Sequence, residues 1–117
     1  MIFNPIQCLL KDKDNKKVIW YKRGYDEVKQ DHLEVEINFD KIKKAISDPH
    51  IITQDVDKKK RKCYYLLFCG NEDYKNMSMK VVIEYVKYLR CCKIITAYFT
   101  NRIKPGEKII WTKPKNN

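Results

Sequence analysis

No stretch of this 117-residue chain stays apolar for anything near the roughly 20 residues that a membrane-spanning helix needs. The opening, MIFNPIQCLLKDKD, sets no basic segment ahead of its short apolar stretch, so it does not read as a secretory leader. Internal repeats and long linkers are missing too, which excludes repeat arrays and leaves a single domain, 1–117. The five cysteines are an odd number and include no C-x-x-C pair, which argues against a disulfide framework. Cys91 and Cys92 are adjacent in a strand-like run, so their thiols point to opposite faces and are poorly placed to share a zinc ion. The expectation is a cytoplasmic protein with reduced thiols packed as small hydrophobes, no metal, no cofactor and no membrane partner.

Histidine and arginine are also scarce. There are two histidines, His32 and His50, and four arginines, Arg23, Arg61, Arg90 and Arg102. The formal net charge is nevertheless +10, carried mostly by lysine, which points to a polyanion partner. Richness in Lys, Ile and Asn is also what an AT-rich genome favours, so the arginines discriminate better: each brings a planar fork suited to phosphate. Apolar residues make up 44% of the chain, enough for a modest globular core.

Ile6–Leu10 and Val18–Tyr21 read as short strands around the polar turn KDKDNKK. Gly24 breaks the chain, and Tyr25–His32 can form a short helix. Phe39, Ile42, Ala45 and Ile46 recur at helical spacing, with Lys41, Lys43 and Lys44 opposite. Asn38 suits the N-cap, Asp40 the first turn, and Asp48-Pro49 the stop. Strand patterns follow at Ile51–Val56, Cys63–Cys69, Met79–Tyr88, Lys93–Thr100 and Lys108–Thr112. A polar loop covers residues 70–76, and Lys104-Pro105-Gly106 signals a turn that closes Cys91–Trp111 into a final hairpin. These patterns predict an α+β domain in which one or two N-terminal helices pack on a four- to five-stranded antiparallel sheet.

Helices, then an antiparallel sheet, in a small basic domain is the plan of the barnase–EndoU–colicin–RelE (BECR) nuclease superfamily. The local sequence resembles its phage-associated branch over roughly residues 25–112. A helical His is followed by a P-x-I-x-x-D strand start, an Arg–Tyr strand, a V-x-T-A-Y-like strand and a basic turn before a Trp. Here these are His32, Pro49, Ile51 or Ile52, Asp55, Arg61, Tyr64 or Tyr65, Ile95-Thr96-Ala97-Tyr98, Arg102, Lys104 and Trp111. Two features depart from the pattern. Gln30-Asp31 precede His32 where the family offers Arg or His, and residues 1–24 form a β-element with no family counterpart. Residues 113–117 read as a frayed tail. The resemblance implies a RelE-like fold and metal-independent endoribonuclease activity of the toxin or phage–host conflict type. It also implies RNA as substrate and an acidic antitoxin or inhibitor protein as a further partner.

Metal-free RNA cleavage needs a base for the 2′-OH, cations around the phosphorane and an acid for the leaving oxygen. His32, near a helix end, is the candidate base or acid. His50 follows Pro49 at a turn and suits a capping role better. Arg61, at the mouth of the central strand, is the candidate phosphate clamp, with Arg102 beside it in function and Tyr98 as proton donor or stacking surface. Lys58, Lys59, Lys60, Tyr65, Thr96, Thr100 and Lys104 are candidate nucleic-acid contacts. Glu84 is an alternative base or else a cross-strand partner for a cation, and Trp111 reads as core. The second reading is a non-catalytic basic module that binds nucleic acid or an acidic protein, for example to inhibit a host defence nuclease.

Overall fold

A computed structural model describes residues 5–32, 38–70 and 74–115; residues 71–73 of the expected polar loop and 116–117 of the expected tail lie outside the described residues. Strands β1 (Ile6–Lys11) and β2 (Lys17–Tyr21) lead directly into helix α1 (Lys22–Asp31). Helix α2 (Phe39–Ser47) follows, then β3 (Ile51–Gln54), β4 (Arg61–Leu66), β5 (Ser78–Val86), a 3-10 turn (Lys87–Leu89), β6 (Cys91–Thr100) and β7 (Lys108–Thr112).

The helices follow from local chemistry. In α1, Lys22–Asp26 (2.8 Å) and Arg23–Glu27 (3.5 Å) pair at i,i+4. The helix therefore starts before Gly24 rather than after it. A Cβ at Gly24 would sit 3.8 Å from the Trp20 ring, an ordinary contact, so this glycine does not interrupt the helix. In α2 the apolar stripe Ile42, Ala45 and Ile46 is buried, and the Asn38 carbonyl accepts from the amides of Lys41 and Ile42. Asn38 stands at the N-cap without a side-chain capping bond, and Asp48 closes the helix before Pro49.

The expected four- to five-stranded antiparallel sheet is not what forms. The sheet has seven strands in the order β1-β2-β6-β5-β4-β3-β7 and is mixed, although the class remains α+β. Two pairings make the difference. The N-terminal hairpin joins the sheet through a short parallel pairing, Val18 opposite Cys92 and Ile19 opposite Lys93. Strand β7 does not pair with β6; it pairs with β3, Ile52 opposite Trp111. Four successive antiparallel pairings separate β6 from β7, so the two run in the same direction at well-separated places in the sheet. The expected closing hairpin is instead a crossover. The turn at Lys104–Glu107 does form, with the Glu107 amide donating to the Lys104 carbonyl (3.2 Å) and Gly106 at φ +95°, but it redirects the chain onto β3.

Alternation along β3–β6 gives the sheet two faces. One carries Tyr64, Leu66, Met79, Val81, Ile83, Ala97 and Phe99, and buries them against α2 and the β1–β2 hairpin with Trp20, Ile42 and Ile46. Each large side chain buried this way stabilises the fold by roughly 1.5–3 kcal/mol. The hairpin tip reaches across this face, where Lys13 Nζ lies 4.6 Å from the centre of the Trp111 ring. The other face carries a smaller cluster, Cys63, Tyr65 and Val82, flanked by Ile51, Leu67, Ile95 and Ile103.

Gly70 lies in the β4–β5 connection, four residues beyond the end of β4. A Cβ there would run into the Tyr74 carbonyl oxygen, which is backbone and cannot rotate away. Gly70→Ala is expected to lower stability by about 1–3 kcal/mol in chemical denaturation, through a forced shift of the chain around Tyr74.

Candidate nucleic-acid interface

The second face holds most of the residues singled out from the sequence. Register places Tyr65, Lys80 and Tyr98 side by side on β4, β5 and β6. Lys80 Nζ lies 5.6 Å from the Tyr65 ring centre and 5.7 Å from that of Tyr98. The crossover between β6 and β7 then lowers Glu107 onto this row. Its Oε2 accepts from Lys80 Nζ (2.6 Å), and its Oε1 accepts from Tyr65 OH (2.6 Å) and Thr53 Oγ1 (2.5 Å). The Glu107 side chain is 0% exposed and that of Lys80 5%. Burial alone would push the Glu107 carboxyl up, but hydrogen bonds from Lys80, then Thr53 and Tyr65, outweigh it and hold the group below the usual glutamate range. Burial opposes the charge on Lys80 too, and its hydrogen bond to Glu107 more than compensates, so its pKa is raised. Burial and the bond to Glu107 raise Tyr65 as well.

This is a closed network with its members satisfied, and it sits where an open catalytic face was expected. Tyr65 is thereby committed to Glu107. His32 caps the C-terminus of α1, its amide bonded to the Val28 carbonyl (2.7 Å), and its ring stacks on Tyr98 at 5.3 Å. Arg102 is exposed just beyond β6, tied through its backbone to Thr100 Oγ1. Thr96 lies two residues before Tyr98, opposite Val82. Lys104 is exposed on the crossover turn. His32 and Tyr98 are thus brought together.

Arg61 is not with them. Its Nε donates to Glu84 Oε1 (3.0 Å), with Lys93 3.8 Å from the other oxygen. Glu84 stands four residues along β5 from Lys80, so Arg61 is about 13 Å along the sheet and about 10 Å across it from Tyr98. Glu84 is therefore the cross-strand partner of a cation. His50 Nδ1 accepts from the Leu67 amide (2.9 Å), a structural role. Lys58 and Lys59 sit on an exposed turn whose carbonyls accept from the Gln54 side chain. Trp111 packs on the core. Among the described residues, no group of three or more His, Cys, Asp and Glu side chains is placed to hold a metal ion.

A different constellation appears on the opposite side. The β1–β2 turn roofs a cleft of about 520 Å³ whose floor is β4, β5 and the start of β6. The roof supplies Asp12, Asp14, Lys16 and Lys17; the floor supplies Lys62, Tyr64, Ile83, Tyr85, Cys91 and Cys92; Lys60 and Arg90 complete the wall. Asp12 Oδ1 folds the turn by accepting from the amides of Asp14 (2.9 Å) and Lys16 (2.8 Å), and Asn15 takes the left-handed conformation the turn requires. Asp14 is already paired with Lys13 (3.1 Å). By contrast, the side chains of Lys16, Lys17, Lys60, Lys62 and Arg90 make no hydrogen bond or ion pair among the described residues. Five cations so placed against two engaged carboxylates leave a positive cleft.

Arg90 is held at φ +53°, ψ +36°, a left-handed conformation that costs a non-glycine residue about 1–2 kcal/mol. It links the cleft to an open shelf formed with Tyr85, Lys87 and Tyr88. Tyr88 is 86% exposed and Tyr85 45%, so both rings are available for stacking. Burial raises the pKa of Cys92, and of Tyr64 on the cleft floor, so neither thiol nor phenol ionises near neutrality.

Of the sequence candidates only Lys60 lines this cleft. Arg90 belongs to the scarce arginines but carries no local motif, and Lys16, Lys17 and Lys62 look like ordinary solvated lysines. Nothing in the sequence shows that a parallel pairing will fold the hairpin over β4 and β5. Lys80 offered a better signal: it is the only lysine within β5, on the same face as Val82. No helix among the described residues is long and apolar enough to cross a membrane. Comparison with protein-family models, with curated proteins and with solved structures finds no match.

Proposed function

We propose that this chain is an RNA-binding module that grips single-stranded RNA at the hairpin-roofed cleft. The observation that carries this reading is the set of five cations around Tyr64 and Tyr85 whose side chains have no partner among the described residues, next to the exposed Tyr88 shelf. Lysine and arginine neutralise backbone phosphates, and exposed tyrosines accept unstacked bases whatever their identity. The resemblance to the BECR group favours RNA among polyanions. Binding rather than cleavage is supported by the second face. There Arg61 is neutralised by Glu84, far from His32 and Tyr98, and Glu107 with its crossover occupies the middle of the face. A reducing, cytoplasmic setting suits the five unpaired cysteines.

Titration of labelled single-stranded RNA in EDTA, at several salt concentrations, tests this. Binding is expected to weaken linearly in log–log form with a slope of about −3.5 for five phosphate contacts, and the RNA is expected to stay intact. Fragments ending in 2′,3′-cyclic phosphate would instead revive the endoribonuclease reading. Absence of binding near physiological salt, with capture of an acidic protein, would replace RNA with a protein partner.

A further inference from the structure

Resting on that RNA-binding reading, we infer that the cleft is an end-site: it takes the terminal phosphomonoester of a single strand, with the adjoining base on the Tyr85–Tyr88 shelf. Three observations carry this. First, Lys16, Lys60, Lys62 and Arg90 all line one cavity. A terminal monoester holds up to two negative charges where an internal diester holds one, so a compact cluster of Lys16, Lys60, Lys62 and Arg90 favours the terminus. Second, the cavity, about 520 Å³, falls in the range of small-ligand pockets and suits one nucleotide rather than a passing strand. Third, the cleft is closed inward. Its floor at Tyr64 and Ile83 belongs to the packed core, and the hairpin tip comes down on the sheet where Lys13 meets Trp111. The open shelf adjoins the cleft through Tyr85 and Arg90. A strand that comes in over Tyr88 therefore stops beneath the hairpin.

Fluorescence anisotropy on the full chain distinguishes the possibilities. Short single-stranded RNAs of one sequence are compared with a 5′-phosphate, a 3′-phosphate, two hydroxyl ends, and closed into a circle. One phosphorylated terminus is expected to bind at least tenfold more tightly than the hydroxyl-ended and circular forms, and a nucleoside monophosphate of the matching polarity is expected to compete. Arg90→Gly removes the guanidinium while easing the left-handed backbone, so the fold is kept; it is expected to abolish the terminal preference. Lys43→Ala with Lys44→Ala, exposed on α2 and outside the cleft, is expected to leave it unchanged. Equal binding of circular, hydroxyl-ended and phosphorylated RNA overturns the end-site while leaving RNA binding intact. Competition by the monophosphate with no preference among RNAs makes the cavity a free-nucleotide site and overturns the end-site as well. Failure of every RNA to bind removes the underlying reading itself.

Discussion

Glu107→Ala is expected to lower the stability of this protein by about 3–5 kcal/mol, a large fraction of the total for a domain of this size. The effect comes from what is left behind. Lys80 is buried in a row with Tyr65 and Tyr98, and among the described residues its one hydrogen-bonded counter-ion is Glu107 at 2.6 Å. Without the carboxylate, a buried ammonium and two hydroxyls lose their acceptor, and the crossover before β7 loses its anchor. A double change, Lys80→Met with Glu107→Leu, is expected to recover part of the loss, because it removes the charge along with its partner while the Thr53 and Tyr65 hydroxyls stay without their acceptor. Equilibrium denaturation of the three variants checks this, and a loss in Glu107→Ala below about 1 kcal/mol would show that the network is solvent-relaxed. The pH dependence follows in sign. The folded pKa of Glu107 is depressed, so its contribution is present above the unfolded value, about 4.3, and is lost as pH falls through the lower folded value. That of Lys80 is raised, so its contribution is complete below about 10.4 and is lost as pH rises through the higher folded value. The network should be silent between those limits.

The second large effect is on binding. Lys60→Ala, Lys62→Ala and Arg90→Gly combined are expected to weaken single-stranded RNA binding by on the order of 10²-fold at low salt and to flatten the salt slope by about 2, since each lost phosphate contact contributes about 0.7. Their side chains have no partners among the described residues, so the denaturation midpoint should move little. Arg61→Ala is the informative contrast. It removes one member of the Arg61–Glu84–Lys93 group and should change stability by no more than about 1 kcal/mol while leaving RNA affinity unchanged. A large affinity loss in Arg61→Ala with a normal triple variant would move the interface to the other face.

The elements themselves were legible because their signals are local. The stripe Phe39–Ile42–Ala45–Ile46 dictates α2, and alternation dictates β5 and β6. Partners were not legible. The Lys104-Pro105-Gly106 turn is real, yet whether the chain beyond it folds back on β6 or crosses to β3 depends on where Glu107 finds Lys80, a contact 27 residues apart in sequence. The N-terminal hairpin is similar: Val18 and Ile19 read as a strand, but nothing local announces a parallel pairing with Cys92 and Lys93. That pairing places Lys16 and Lys17 over Lys62 and Tyr64, so the cleft is a product of topology rather than of any motif. The His32–Tyr98 contact shows the converse. Two residues chosen for their chemistry do meet, but as a stacked pair beside a closed network.

Photo-crosslinking of single-stranded RNA to the intact protein, with the modified residues read by mass spectrometry, tests the central claim most directly. Crosslinks are predicted at Tyr85 and Tyr88 and on peptides carrying Lys16, Lys60, Lys62 and Arg90. Crosslinks concentrated at His32, Tyr98 and Arg102 would contradict the account and return the site to the opposite face of the sheet.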